Sequence, residues 1–575
     1  MITRHYSFFL YASAALAASV FCSTTVLPDI MKLLFSQTTY FLILAMFLTW
    51  LHSLGSVLRQ KHRQHTLKDI VLIYREPLIA ALFFSIMIFC SVGTHYRVLS
   101  DETNLLGDAK SMFDQKSIDN VTMGEWYYNS FYPIHHEIPK RPLFYPFLIS
   151  LVHTAKGYSA ENGFLVNFLL LTFFLGFIYY LVQKKWGRWC ALSSLLLVCA
   201  QPVFTQSATS SGFDFAAVFF ITISFIALRS FLDSPDPVNF RWLWINLMVL
   251  GNVRHESFLF FLISAAVLFA VRRIKLEYFS GSPIYGLTPF FMLPVAWQRW
   301  IHRGAFEADS GIQAWSPHHI GEHTANFLKT LVRWDFVLPY ANLINLAAVL
   351  LILLGAARLL RRGFDIRKNE AVLTVIAASS MAALWLILTS FHRGNTDHPT
   401  DSRYFTPFAV LFSMVLLSSA AASDFFRKRR FTLAIISLGL FLLYHPIAAG
   451  NRFTYTQTLP RSYVFVLKTL EKTGVENPLV ISDRPGLFTV RNYGALNFQH
   501  ANLNKRTLLN NWQRHLYPHV YVVQEMLYEK NEPAPNNRLD PEYRLETVAE
   551  LQNTPASFIR ISKVVKSAAD QPGSI

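Results

Sequence analysis

The chain has 575 residues, of which 52% are hydrophobic and only 15% charged, and its mean hydropathy is +0.30. Soluble domains average about 25% charged residues, so this chain cannot cover itself with a polar surface. That excludes a soluble enzyme, a disordered scaffold, a collagen-like rod and a disulfide-stapled secreted module. The net charge is +16, but the basic residues stand in short clusters between apolar runs, the pattern of cytoplasmic loops rather than of a nucleic-acid-binding face. No nucleic-acid partner is expected.

A bilayer core about 30 Å thick takes about 20 apolar residues as helix. In chain order, thirteen segments are candidates: 6–27, 39–58, 77–96, 162–183, 188–206, 212–232, 241–253, 255–272, 283–301, 340–360, 371–391, 404–424 and 431–449. The first follows Arg4 as a signal peptide would, but its exit, Phe21-Cys22-Ser23, lacks a small-x-small cleavage pattern and reads as a retained helix. The segment 241–253 is too short to cross alone and is expected to pair with 255–272 across a break around Asn252–Glu256. Lysine and arginine clusters fall on alternate connections: Arg59–Arg75, Lys184–Arg188, Arg272–Lys275, Arg358–Lys368 and Arg427–Arg430. The positive-inside rule then puts the N-terminus in the cytoplasm of a multi-pass cell (inner) membrane protein and the tail on the periplasmic side.

The expected fold is therefore a polytopic α-helical membrane protein of about 13 transmembrane helices with a C-terminal soluble α/β domain. Residues 1–76 supply two additional N-terminal spans, 77–450 a transmembrane core with outer loops 97–161 and 302–339, and 451–575 the extracytoplasmic domain. In that tail, 478–482, 519–523, 543–549 and 557–563 read as strands, and 461–472 and 502–514 as helices. Gly474, Gly486 and Gly494 have neither GxGxxG nor P-loop spacing. The cysteines, Cys22, Cys90, Cys190 and Cys199, all lie in apolar runs and read as small core residues.

Chemistry concentrates in the first outer loop. It opens Ser100-Asp101-Glu102-Thr103-Asn104. Adjacent carboxylates at a membrane boundary are unfavourable against lipid. Each can act as a general base or hold a cation; equally, they can serve a helix N-terminus, where the dipole favours them. Further on comes Lys140-Arg141-Pro142-Leu143-Phe144-Tyr145-Pro146-Phe147-Leu148, a basic pair leading a proline-framed helix start. The aromatics Trp126, Tyr127, Tyr128, Phe131 and Tyr132 suit sugar stacking or an interfacial belt.

The acidic pair, the K-R-P-L-F-Y-P-F-L run, Gly157 and a later Arg403-Tyr404-Phe405-Thr406-Pro407 together resemble the GT-C membrane glycosyltransferases, in the branch holding protein O-mannosyltransferases and the lipid A aminoarabinose transferase. This chain has Arg-Pro where many members have Pro-Pro. The resemblance implies an inverting transfer of a sugar from a polyprenyl-phosphate donor to an acceptor glycan, lipid or protein in the cell envelope. It matches Asp101 to the catalytic aspartate, Glu102 to the adjacent acid and Arg141 to the basic residue before Pro-Leu.

Charge complementarity adds further candidates. A departing lipid phosphate calls for positive groups, for which Arg141, Arg254 and Arg403 stand on the expected side, with Tyr404 beside Arg403. Arg254 reads equally as a snorkelling residue, and Arg403 as a partner of Asp397 or Asp401. His318, His319 and His323 could contact phosphate or metal, although Pro317 and Gly321 speak for a solvated loop. A divalent cation bridging Asp101 or Glu102 to phosphate is compatible with the same residues. The alternative function is a transporter or flippase of lipid-linked sugars, which calls for charges deep within the spans; the span centres are almost free of them.

Overall fold

The computed structural model describes residues 11, 13–19, 28–63, 66–128, 130–302, 315–333, 338–362, 368–450 and 458–565. It divides into two compact units: Met1–Arg97, Lys140–Leu148 and Gly163–Phe453 form the first, and Val98–Pro139, Ile149–Asn162 and Thr454–Ile575 the second.

The first unit is helical. Among the described residues, seven helices are long and apolar enough to cross a membrane, or eight if one bent pair counts as a span. The chain is a polytopic α-helical membrane protein, with fewer full-length spans than the thirteen expected. Most of 6–27 lies outside the described residues. Other expected spans form helices, but short ones: Pro237–Val253, Phe258–Ala270 and Thr288–Ile301 have 17, 13 and 14 residues. At a rise of about 1.5 Å per residue these fall short of the hydrocarbon thickness.

Two interruptions have local causes. The expected span 188–206 is instead Arg188–Cys199 followed by Pro202–Ala208 at 81°. A proline disfavours helical geometry at the residue before it, and Gln201 takes ψ 105°. Its side-chain amide donates to Asn345 Oδ1 at 2.8 Å, and the Val203 N–H donates to the Pro339 carbonyl at 3.0 Å. The second break falls at Arg254, which is extended (φ −146°, ψ 138°) between helix Pro237–Val253 and the short turn His255–Ser257. Asn252 closes the preceding turn by donating to the carbonyls of Met248 and Phe291, both at 3.0 Å. Cys190 and Cys199 are buried, whereas Cys90 is exposed on its span, not a core residue.

The segment expected as a solvated loop around His318 is a helix, His318–Val332. Pro317 stands at its N-cap, a terminal position where the missing N–H does no harm, and the helix absorbs Gly321. Ser316 N–H bonds to the Ser390 carbonyl at 2.9 Å, and Trp315 packs on Phe391, so the helix start is anchored to the end of Asn369–Ser390.

The second unit is an α/β structure. Its strands are β1 (Asn120–Tyr127), β2 (Ser130–Glu137), β3 (Leu479–Ile481), β4 (Gly494–Leu496), β5 (Val520–Leu527), β6 (Glu532–Pro533), β7 (Leu545–Gln552) and β8 (Ser557–Val564). They form one sheet ordered β2-β1-β4-β3-β5-β8-β7, with β6 on β5. The segment 97–161 and the tail, set apart in the sequence reading, thus share a sheet: Gly124 of β1 pairs antiparallel with Ala495 of β4. β3 runs parallel to both β4 and β5, and the other pairs are antiparallel. The four tail strands and two tail helices expected from sequence are present within a few residues. Met123, Leu479, Ile481, Leu496, Tyr517 and Val522 are among the side chains of the core.

Candidate functional site

Asp101 and Glu102 belong to the second unit, in the first turn of helix Leu99–Asp114. Val98, the N-cap, offers no side-chain oxygen. Glu102 supplies one instead: its Oε1 accepts from the Val98 N–H at 2.8 Å. The helix dipole favours carboxylates here, and both are buried, Asp101 at 8% and Glu102 at 2% exposure. The helix lies close against β1. A Cβ on Gly107 would come within 2.0 Å of Asn120 Oδ1, and Asn120 Nδ2 donates to Asn104 Oδ1 at 3.3 Å. The acidic turn is therefore built on a helix whose seat needs a glycine.

The remaining candidates belong to the first unit. Arg254, Arg403 and Tyr404 come together around Asp214, a residue the sequence reading passed over. Asp214 begins helix Asp214–Asp233 and is buried. Its Oδ1 accepts from Arg254 Nη1 at 2.7 Å, and its Oδ2 lies 3.8 Å from Arg403 Nη1. Arg254 Nε also meets Glu256 Oε1 at 2.5 Å. Both guanidinium groups stand over the Tyr404 ring, at 5.0 and 5.1 Å from its centroid. Arg254, Arg403, Asp214 and the half-buried Glu256 thus form a charge cluster, and Asp401, coupled electrostatically to Arg403, adds a further carboxylate. Arg254 is not a snorkelling residue. Of the two aspartates proposed for Arg403, Asp397 instead pairs with Arg333 at 2.6 Å.

Arg97, also passed over, is buried beside this region of the chain. Its guanidinium donates to Ser207 Oγ at 2.6 Å and to Ser402 Oγ at 2.7 Å, tying the bent helix Pro202–Ala208 to the turn Asp401–Phe405 that carries Arg403. Arg141 is half-buried, and its carbonyl accepts from Gln298 Nε2 at 2.6 Å. His318 and His319 stand on a separate element, in the first turn of His318–Val332, exposed and half-buried respectively. His319 stacks on His323, their centroids 5.5 Å apart, and a ring nitrogen of His323 bonds to the Thr389 carbonyl at 2.9 Å. Among the described residues no group of three or more His, Cys, Asp or Glu side chains could hold a metal ion.

Of the aromatic residues in 97–161, Trp126 and Tyr127 lie in β1 and Phe131 and Tyr132 in β2, with Tyr128 in the turn between them. Trp126 in β1 donates from Nε1 to the Asn492 carbonyl at 2.6 Å, and Tyr127 hydrogen-bonds Asn511. β1 also carries Glu125, buried and hydrogen-bonded to the Tyr517 hydroxyl. Burial pushes its carboxyl above the usual range, only partly opposed by that bond.

Among solved structures, the chain is similar to ArnT from Cupriavidus metallidurans bound to undecaprenyl phosphate, with a TM-score of 0.51 and 12% identity over 86% of this chain and 98% of that one. The fold is GT-C-like. The apo state of the same ArnT matches with a TM-score of 0.48 and 12% identity over 86% and 97% of the two chains. Arabinosyltransferase EmbB from Mycobacterium smegmatis matches with a TM-score of 0.31 and 10% identity over 68% and 42%. No protein-family model and no curated protein matches the sequence.

Proposed function

We propose that this GT-C-like protein is a membrane glycosyltransferase that moves a sugar from a polyprenyl-phosphate donor to an acceptor hydroxyl on the periplasmic side of the inner membrane, with inversion at the anomeric carbon. The observation that carries this reading is the likeness, over 86% of the chain, to a structure bound to undecaprenyl phosphate. The buried acid pair and the buried arginine pair support it.

Asp101 is the base. As the acceptor oxygen attacks the anomeric carbon, the carboxylate takes its proton, and the bond from that carbon to the phosphate oxygen breaks. The electron pair leaves on the polyprenyl phosphate, whose added negative charge calls for positive groups already in place. Arg254 and Arg403 are those groups. Asp214 holds both, so their positions are set before the donor binds. Glu102 holds the turn that presents Asp101. Arg141, Tyr404, His318 and His319 complete the set of substrate-contacting residues. Should the reaction use a divalent cation, Asp101 and Glu102 are its protein ligands.

Purified protein incubated with a panel of radiolabelled polyprenyl-phosphate sugars tests the reading. At least one donor should be consumed, with release of polyprenyl phosphate. A panel left intact by protein that is folded and inserted in bilayer would overturn it.

A further inference from the structure

The second unit contains a groove of about 500 Å³ that the reaction above does not use. It lies beyond the carboxyl ends of the parallel strands β3 and β4, lined by residues that follow each of them. The chain steps from β3 to β4 on one side, then crosses back to β5 on the other. The groove opens between the connections that leave β3 and β4, with no residue after β5 in its lining. Its volume lies in the range of small-molecule pockets.

One wall belongs to the acidic helix. Ser100, Thr103 and Asn104 line the groove, and their i, i+3, i+4 spacing puts them on one helix face. Asp101 is the next residue after Ser100. Asp101 itself does not line the groove, so a molecule there lies on the same helix turn as the carboxylate assigned as base but along a different face of it.

The lining names the chemistry. Glu137 and Asp483 bring two negative charges; Arg484 brings one positive, with the imidazoles of His135 and His500 beside it. Arg484 Nε is 3.5 Å from Asp483 Oδ2, so its charge is already partly met. There is no surplus of positive charge to hold a phosphate or carboxylate. What remains is a mixture of donors and acceptors. The His135 ring is fixed by Thr122 Oγ1 at 2.8 Å, while Glu137 and Gln499 stand exposed at the rim. Met123, Leu487 and Leu503 add apolar surface. Hydroxyl-rich molecules with apolar C–H faces meet both demands.

We infer that this groove binds the acceptor, and that the acceptor end it holds is an uncharged sugar. The inference rests on the transferase reading only for the word acceptor; the groove's chemistry stands by itself. Full-length protein in nanodiscs, fluorescently labelled and applied without donor to an array of neutral and acidic glycans, tests it. Neutral glycans should be retained. Replacing two hydrogen-bonding side chains at about 1 kcal/mol each should lower retention by about tenfold or more, so the double variant Glu137→Ala/Gln499→Ala should lose most of the signal, and His135→Ala part of it. Both variants change exposed residues, and an unchanged thermal unfolding profile confirms that they fold. Retention of no glycan, of acidic glycans alone, or equal retention by the double variant would overturn the assignment. Donor consumption with no glycan retained would sink the groove and leave the transferase. Glycan retention with no donor consumed would do the reverse.

Discussion

The acid pair offers the sharpest test, because two neighbouring carboxylates are assigned different work. Asp101→Asn keeps the size of the side chain but removes the ability to take a proton. General-base catalysis contributes about 10²–10⁴-fold, or about 3–5 kcal/mol of barrier at 1.36 kcal/mol per tenfold, and the single-turnover rate should fall by that factor. Glu102→Gln keeps an oxygen facing the Val98 N–H, now bonded at 2.8 Å, and should leave the rate near that of the wild type. Glu102→Ala removes the acceptor from a helix start whose N-cap residue, Val98, has no capping side chain. A lost cap destabilises by about 0.5–2 kcal/mol, so this variant should unfold at a lower temperature, with a rate that suffers less than in Asp101→Asn. The assay is release of polyprenyl phosphate from whichever radiolabelled donor the panel selects, with far-UV circular dichroism following thermal unfolding in detergent. Near-wild-type turnover by Asp101→Asn would refute the role of that residue. Loss of activity in Glu102→Gln equal to that in Asp101→Asn would show that both carboxylates act in the chemical step, and loss in Glu102→Gln alone would show the roles to be exchanged.

Asp214→Asn removes the carboxylate that two buried arginines share; breaking a buried ion pair from one side costs about 3–5 kcal/mol, so the unfolding temperature should drop, and Arg403→Met should restore part of it. An unchanged unfolding temperature in Asp214→Asn would contradict the shared-carboxylate arrangement. Gly107→Ala drives a methyl group to within 2.0 Å of Asn120 Oδ1 and should destabilise by about 1–3 kcal/mol, with Asn120→Ala relieving most of it; additive effects of the two changes would exclude that contact. Glu125 has its folded-state pKa raised by burial. An acid of this kind stabilises the fold most while protonated in both states, so its contribution declines as pH rises above 4.5, the ordinary carboxyl value, and is gone above the folded pKa. Glu125→Gln should flatten that decline in a pH series of unfolding temperatures, and an identical slope in the variant would count against it.

The parts of this fold that were legible in the sequence are those whose signal is local. An apolar run of about 20 residues reads as a span whatever it packs against, and the β-branched strands of the tail announce themselves by alternation. The break at Arg254 was also visible, in a polar interruption of two short runs. The sharp bend after Cys199 was not drawn, although Gln201-Pro202 carries its cause, because the hydrophobic run continues through it. The His318 helix was missed by weighing Pro317 as a breaker when its position makes it a start.

Non-local features stayed hidden. β1 pairs with β4 across more than three hundred residues, and nothing in Gly124 or Ala495 names the other. The aromatic residues of β1 were read as a sugar-stacking surface or an interfacial belt for the same reason: their partners, Asn492 and Asn511, lie in the tail. Asp214 looked like an ordinary acid at the mouth of a span, and only the fold shows it between two arginines. The groove is the extreme case, since its walls come from the acidic helix, the hairpin and the two crossovers of the sheet. That origin carries a physical consequence. The segment 97–161 supplies the proposed base and the walls from the acidic helix and the hairpin, while the tail supplies the two crossovers, so a substitution in the tail strands can misplace the acceptor while leaving the carboxylate of Asp101 unchanged. Loss of transfer with donor hydrolysis retained is the kinetic form such a defect should take.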